Sequence, residues 1–283
     1  MRVSSRIPLL LLFSYLVYSP LRANSESINE SIDVNDETTE SFSYCNEGLC
    51  RLTSAKELAQ VQNLPLDLHH KCKKDMQYAL SFDDGRSANT ERLLAILDHH
   101  KIKATFFIIG ANLRNPEGRL RVQHIYRKGH QVSNHTLSHR SLDQLSPEDI
   151  LNEVMSTQHL LIKILGYDDK IKRDSRVVRP PYGHIDQRVQ DTLKSIGFSA
   201  VRWNADRYDW KLKIEDRELL HRRFEQQLAL IDAQPSGSLN RSILDLNHER
   251  QDVTLSLLDE WIPQLKARGY EFVSLSECIG LEN

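Results

Sequence analysis

A chain of 283 residues suits one large domain with a tail, or two small ones, and its 40% hydrophobic and 27% charged residues exclude a fibrous or multi-span membrane protein. The formal net charge of -2, with Lys and Arg not gathered into a basic stripe, leaves no electrostatic footprint for nucleic acid.

The first element in chain order precedes the fold. Arg2 and Arg6 stand before an apolar run from Ile7 to Tyr18, and the small residue Ala23 follows. This is the layout of a secretory signal peptide over residues 1–23, with a signal anchor as the alternative; the run is short for a transmembrane helix. Nothing later in the chain looks like a membrane span, so the expectation is a secreted protein of the extracellular space or cell wall. From Asn24 to Cys50 there is no Lys or Arg, whereas Glu and Asp recur, so residues 24–71 are read as an acidic, largely disordered segment. Residues 72–283 are the expected folded domain, taken to be a monomer. Asn29 and Asn240 open glycosylation sequons. Four cysteines imply two disulfides, preferably Cys45–Cys50 as a local loop and Cys72–Cys278 as a clasp across the fold; without a Cys-x-x-Cys pair they do not read as a zinc site.

From about residue 75 short β-rich runs alternate with amphipathic stretches. The predicted strands are Met76–Phe82, Ala104–Ile109, Gln131–Asn134, Val177–Arg179, Ser199–Trp203, Ser242–Leu246 and Glu271–Val273. Helical patterns such as "ERLLAILDHH" and "PEDILNEVMSTQHLLIKILG" lie between them. Ser146 caps the second, with Pro147 in its first turn and Asp149 at the positive end of the helix dipole. "YRKGHQV", "KSIGFSA" and "KARGYEF" each end a helix on a glycine and open a strand. Such alternation implies a mostly parallel sheet flanked by helices, either doubly wound or barrel-like. About seven strands in about 200 residues favour an incomplete (β/α) barrel, by analogy with the larger eight-stranded form.

In parallel sheets the chemistry sits beyond the carboxyl ends of the strands. The first strand ends on Asp83-Asp84-Gly85, two like charges whose mutual repulsion opposes ionising both. Alone this is a solvent-facing turn. After the third strand comes "SNHTLSHRSL", after the fourth "RPPYG", after the fifth "NADRYDW" and after the sixth "LNHE". His135 and His139, four apart on one expected turn of helix, can share a metal, and a carboxylate from the first strand completes a site with open positions. Zinc is the first expectation, with cobalt, iron or manganese as alternatives. Asp84 is then the metal ligand, and Asp83 the base that deprotonates a water the metal activates. The cation relieves the repulsion that makes the pair look costly. His248 is expected as general acid, held by Asp209, and Arg179 as the partner of Asp83. The rigid Pro180-Pro181 pair aims the Tyr182 backbone N–H at a developing oxyanion. Trp210 and Leu246 are expected to supply apolar walls, though either reads equally well as core.

In that order, "SFDDG", "NHTLSH", "RPPYG", "DRYDW" and "LNH" resemble the five motifs of the polysaccharide deacetylases of the NodB-homology type (carbohydrate esterase family 4). The resemblance runs from about Cys72 to the C-terminus. It implies a distorted (β/α) barrel and metal-dependent hydrolysis of sugar N-acetyl groups. By motif position it implies Asp83 as base, Asp84, His135 and His139 as metal ligands, and His248 as acid. Arg179 is placed beside the base, Asp209 beside the acid and Trp210 at the wall. The position of Cys72 and the "SECIG" ending are similar to fungal-type chitin deacetylases, which makes chitin the expected substrate and partner. Peptidoglycan or acetylxylan are the alternatives. Arg86 departs from the proline the family usually has there, which bears on substrate preference more than on catalysis. Two rival readings remain. A non-haem iron oxygenase shares the two-histidine, one-carboxylate set but needs all-β patterning. A non-catalytic carbohydrate-binding relative would have lost Asp83 or His248, and both are present.

Overall fold

The structure, a computed structural model, describes residues 68–85, 87–234 and 241–281. The expected signal peptide, most of the acidic segment, the Cys45–Cys50 pair, Asn29, Asn240 and Arg86 lie outside the described residues.

The sheet is built around one strand. β1 (Gln77–Asp83) is buried at every position, as its nearly unbroken apolar run requires when both faces are covered. Its neighbours are β2 (Thr105–Ile108) and β7 (Ile243–His248), followed outward by β3 (Gln131–Asn134), β4 (Val177–Val178) and β5 (Ser199–Ala200) on one side and β6 (Ala205–Asp206) on the other. β8 (Glu271–Phe272) pairs with the first two residues of β1, ahead of the stretch that pairs with β2. Every ladder is parallel. The order β5-β4-β3-β2-β1-β7-β6 is that of an incomplete α/β barrel, with helices around a curled sheet.

All seven predicted strands are present; β1 and β7 run further at their C-terminal ends than predicted, and several of the others stop short. β6 is an eighth, which the sequence reading took as part of the loop after the fifth strand. The two ends of the sheet, β5 and β6, are consecutive in the chain, and only residues 201–204 separate them. Asn204 anchors that link by accepting from the Leu244 N–H (2.8 Å) and donating to the Ser242 carbonyl (2.7 Å). "NADRYDW" therefore contains its own two-residue strand, and Asp209 and Trp210 follow β6 rather than β5. A two-residue strand bounded by Asn204 and Arg207 leaves no periodicity to detect.

The helices obey their caps. α1 (Thr90–His99) and α2 (Pro116–Arg127) flank β2, and α3 (Pro147–Leu165) starts on Ser146, whose hydroxyl accepts from the Asp149 N–H. α4 (Asp169–Asp174), α5 (Gln187–Ser195), α6 (Arg217–Asp232), α7 (Asp252–Ala267) and α8 (Leu275–Cys278) complete the set. Gly129, Gly197 and Gly269 take φ values of 81°, 74° and 86°, the left-handed cap that the repeated helix-to-strand motif predicts. The largest core joins Phe82, Phe106, Leu97 and Trp261 between sheet and helices. Cys72 and Cys278 form the expected disulfide, joining the segment before β1 to α8. The sheet extends ahead of Cys72, because His69 bridges Val201. Among the described residues, no helix is long and apolar enough to cross a membrane.

Candidate active site

The ladder that pairs β1 with β7 sets Asp83 directly opposite His248. One register therefore delivers the two groups expected to move protons to the same rim. The chain then turns sharply: Asp84 adopts φ 78° and Gly85 φ 64°. A Cβ on Gly85 would come within 2.4 Å of the Ile108 side chain, so only glycine fits beside β2. Beyond this turn the Asp84 carboxylate reaches both histidines, whereas Asp83 Oδ2 lies 3.7 Å from His135 Nε2.

His135 and His139 do not sit on a helical turn, contrary to the sequence expectation. The segment after β3 is an irregular turn in which Thr136 and His139 have φ values of 64° and 61°. Its shape comes from a buried carboxylate that sequence reasoning missed. Glu153 of α3 accepts from the Leu137 N–H (2.9 Å), the Ser138 N–H (2.8 Å) and the Ser138 hydroxyl. The hydroxyl of Thr136 accepts from the His139 N–H (3.1 Å). A single acid within a long amphipathic helix gives no sign of that role, so only three dimensions could reveal it.

The result is a compact donor set. One ligand-type atom each from Asp84, His135 and His139 falls within 4.8 Å of the others. Asp84 Oδ1 lies 3.9 Å from His135 Nε2 and 3.7 Å from His139 Nε2, too far for hydrogen bonds and close enough for a shared cation. His135 Nδ1 is 2.8 Å from the Arg179 carbonyl. That contact places the proton on Nδ1 and leaves the Nε2 lone pair free towards the carboxylates. Burial, with a contribution from neighbouring His135, pushes the pKa of His139 down to about 4, so its ring is neutral near pH 7, the form that ligates. Two imidazoles and a carboxylate fit a divalent transition metal.

Arg179 sits beneath the site, wholly buried. Its Nη1 donates to Asp83 Oδ1 at 2.6 Å and to the Ser81 hydroxyl oxygen at 2.8 Å, and its guanidinium stacks 4.1 Å from the Phe107 ring centroid. Burying this charge is tolerated because Asp83 and the aromatic face compensate it. On the other side Asp209 accepts from the His248 N–H and the Thr254 hydroxyl, both at 2.8 Å, and its Oδ1 is 2.8 Å from His248 Nδ1. Burial works against the Asp209 charge, but the bonds from His248 and Thr254 outweigh it and hold the carboxyl below the usual range. For His248 burial favours the neutral ring, and the Asp209 carboxylate overrides it and raises the pKa.

The remaining expected residues are placed less uniformly. Tyr182 follows Pro180-Pro181 at φ 60°, and its ring meets His139 at 4.8 Å between centroids. A Cβ on Gly183 would strike Trp203 at 2.7 Å. Trp210 is 46% exposed beside the Asp209 turn, whereas Leu246, two residues before His248 on β7, is only 4% exposed. Three further groups went unnoticed in the sequence. Arg250 reaches Asp84 Oδ2 at 3.3 Å. Arg207 and Asp245 form a buried pair, 2.6–2.7 Å apart, that also takes in Asn247 beneath the rim. Glu249 is 1% exposed, and burial pushes its carboxyl up to about 7.

Residues 70–201 match the family model described as polysaccharide deacetylase. The chitin deacetylase of Colletotrichum lindemuthianum is 30% identical over 215 residues, which cover 74% of this chain and 82% of that enzyme. The chain belongs to the polysaccharide deacetylase family. Other relatives are named for a different substrate: the peptidoglycan-N-acetylglucosamine deacetylase of Listeria monocytogenes is 30% identical over 214 residues, and the chain spans only 40% of that protein's length, with 74% of this chain matched. The solved Colletotrichum lindemuthianum chitin deacetylase superposes with a TM-score of 0.66 at 26% identity, over 75% of this chain and 91% of that one. The Asp84, His135 and His139 cluster is the candidate metal site of this family member.

One consequence of the His248–Asp209 pair is testable by pH. A charged His248 is the form able to give a proton, so activity should be full below its raised pKa and fall as pH rises through it. Asp209→Asn removes the group that raises that pKa. The alkaline limb of the kcat profile should move to lower pH, and an unmoved limb would show that another group sets it.

Proposed function

We propose that this chain is a secreted, zinc-dependent chitin N-deacetylase, converting N-acetylglucosamine units to glucosamine with release of acetate. The observation that carries the reading is the convergence on one rim of a three-donor cation site and of Asp83 and His248, each held by an oppositely charged partner. Asp83 is ion-paired to buried Arg179, and His248 is kept basic by Asp209. A divalent metal held by Asp84, His135 and His139 would polarise the amide oxygen and make water a better nucleophile near neutral pH.

The chain's own residues do the rest. Asp83 takes a proton from the water that attacks the acetamide carbon, while Arg179 keeps it oriented. His248, charged, gives a proton to the amine nitrogen as the carbon–nitrogen bond breaks, and Asp209 steadies the imidazolium. The Tyr182 backbone N–H is the proposed donor to the developing oxyanion, and Trp210 and Leu246 are the proposed walls against the sugar and acetyl group. Chitin is preferred because the Colletotrichum lindemuthianum enzyme is matched over most of its length. Secretion is supported by the Cys72–Cys278 disulfide, which persists in an oxidising compartment.

The second reading, peptidoglycan, has the Listeria monocytogenes relative at the same 30% identity in its favour. Acetate release from chitin oligosaccharides, peptidoglycan and acetylxylan, with zinc and after chelation, separates the two. Chitin oligomers should be the best substrate and chelation should abolish turnover. Release from peptidoglycan alone would overturn the substrate, and turnover that survives chelation would overturn the metal.

A further inference from the structure

The groove around the candidate metal site is ringed by cations that the deacetylation chemistry does not use. Beyond His139 a recess of about 550 Å3 opens, lined by Arg140, Ser141, Gln144, Tyr182 and His184 among others, a volume that suits a sugar unit. Tyr182 is 61% exposed, and its ring lies 5.6 Å from that of His184, giving the recess a flat wall. Arg140 is exposed at its edge. On the far side of Asp84, Arg250 keeps 59% of its side chain in solvent while it reaches Asp84 Oδ2. Two residues after Asp209, which holds His248, the ammonium of Lys211 lies 4.6 Å from the Trp210 ring centroid.

The carboxylates nearby are already engaged. Asp143 accepts from the Ser141 hydroxyl at 2.6 Å, and Asp206, whose charge burial disfavours, accepts from the Tyr208 N–H at 2.7 Å. Asp83 and Asp84 face Arg179 and the cation their cluster would hold. With that cation bound, Arg140, Arg250 and Lys211 leave the rim positive. A fully acetylated sugar chain is uncharged and feels little of this field. Each turnover, however, creates an amine that is a cation when protonated.

Resting on the chitin reading above, we infer that Arg140, Arg250 and Lys211 make the groove reject sugar units that already carry a free amine. Turnover is thereby directed to runs of acetylated units, and product that remains beside the site is pushed out. Like charges about 8–10 Å apart across water change an affinity about twofold each, and their effect fades once the Debye length is shorter than that separation. Three such charges give a discrimination of about 5-fold or more at low salt.

The test is calorimetric binding to the zinc-loaded Asp83→Asn protein, which should not consume the ligand. The probes are the N-acetylglucosamine pentamer and its fully deacetylated counterpart, at pH 6, where the free amine is charged. The acetylated pentamer should bind about 5-fold tighter or more, and the gap should shrink in high salt and in Arg140→Gln with Arg250→Gln. Arg140→Lys with Arg250→Lys keeps the charges and should keep the gap. Equal binding of the two pentamers, or a gap that the glutamine variants leave unchanged, would overturn the inference while the chitin reading stands. Failure of the acetylated pentamer to bind would overturn both.

Discussion

Asp83→Asn should lower acetate release by about 10²–10⁴-fold while zinc uptake by the protein stays close to that of the parent. The substitution keeps the shape of a side chain that is 3% exposed, and takes away the charge that would accept the proton of the attacking water. The ligand cluster of Asp84, His135 and His139 does not include it. Kinetics on chitin oligomers and a zinc titration of the metal-free protein together check this. A fully active Asp83→Asn would remove Asp83 from the mechanism. Loss of zinc binding along with activity would make it a ligand rather than a base.

The second large effect is on stability. Arg179→Met should cost about 3–5 kcal/mol in denaturant unfolding, because it leaves the Asp83 carboxylate buried without its counter-charge. The site has no route for water to replace the guanidinium: Arg179 is 0% exposed and covered by Phe107 and Trp203. Coupling Arg179→Met with Asp83→Asn should recover most of that loss, since no uncompensated charge then remains. If the double variant is as unstable as the single one, the cost lies in packing around the guanidinium, and the ion pair is not what holds the floor of the site.

How much of this was legible in the sequence depends on whether the determining signal was local. The seven strands, the capped helices and the left-handed glycines were readable because each depends on residues within a few positions of itself. The rim residues were readable because parallel strands place their polar ends together, so Asp83, His135, Arg179 and His248 could be grouped without coordinates. What was lost is the shape between strands. The pair His135 and His139 looked helical by spacing, yet Glu153, fourteen positions beyond His139, folds the segment into a turn through three hydrogen bonds. β6 escaped because two residues carry no period. Arg250 and the Arg207–Asp245 pair escaped because a charged residue in sequence reads as solvated until burial or a partner shows otherwise.

The Cys72–Cys278 bond has a consequence for how the protein breaks. It joins positions 206 apart and encloses every strand from β1 to β8 within one covalent ring. A single cut by a protease anywhere in that ring opens the ring but cannot release a fragment. The nicked molecule keeps its mass and its two halves remain within reach of each other, so that only reduction separates them. A protein built in this way can accumulate one cleavage and still be recovered as a single species. The damage would then show on a reducing gel and stay hidden on a non-reducing one.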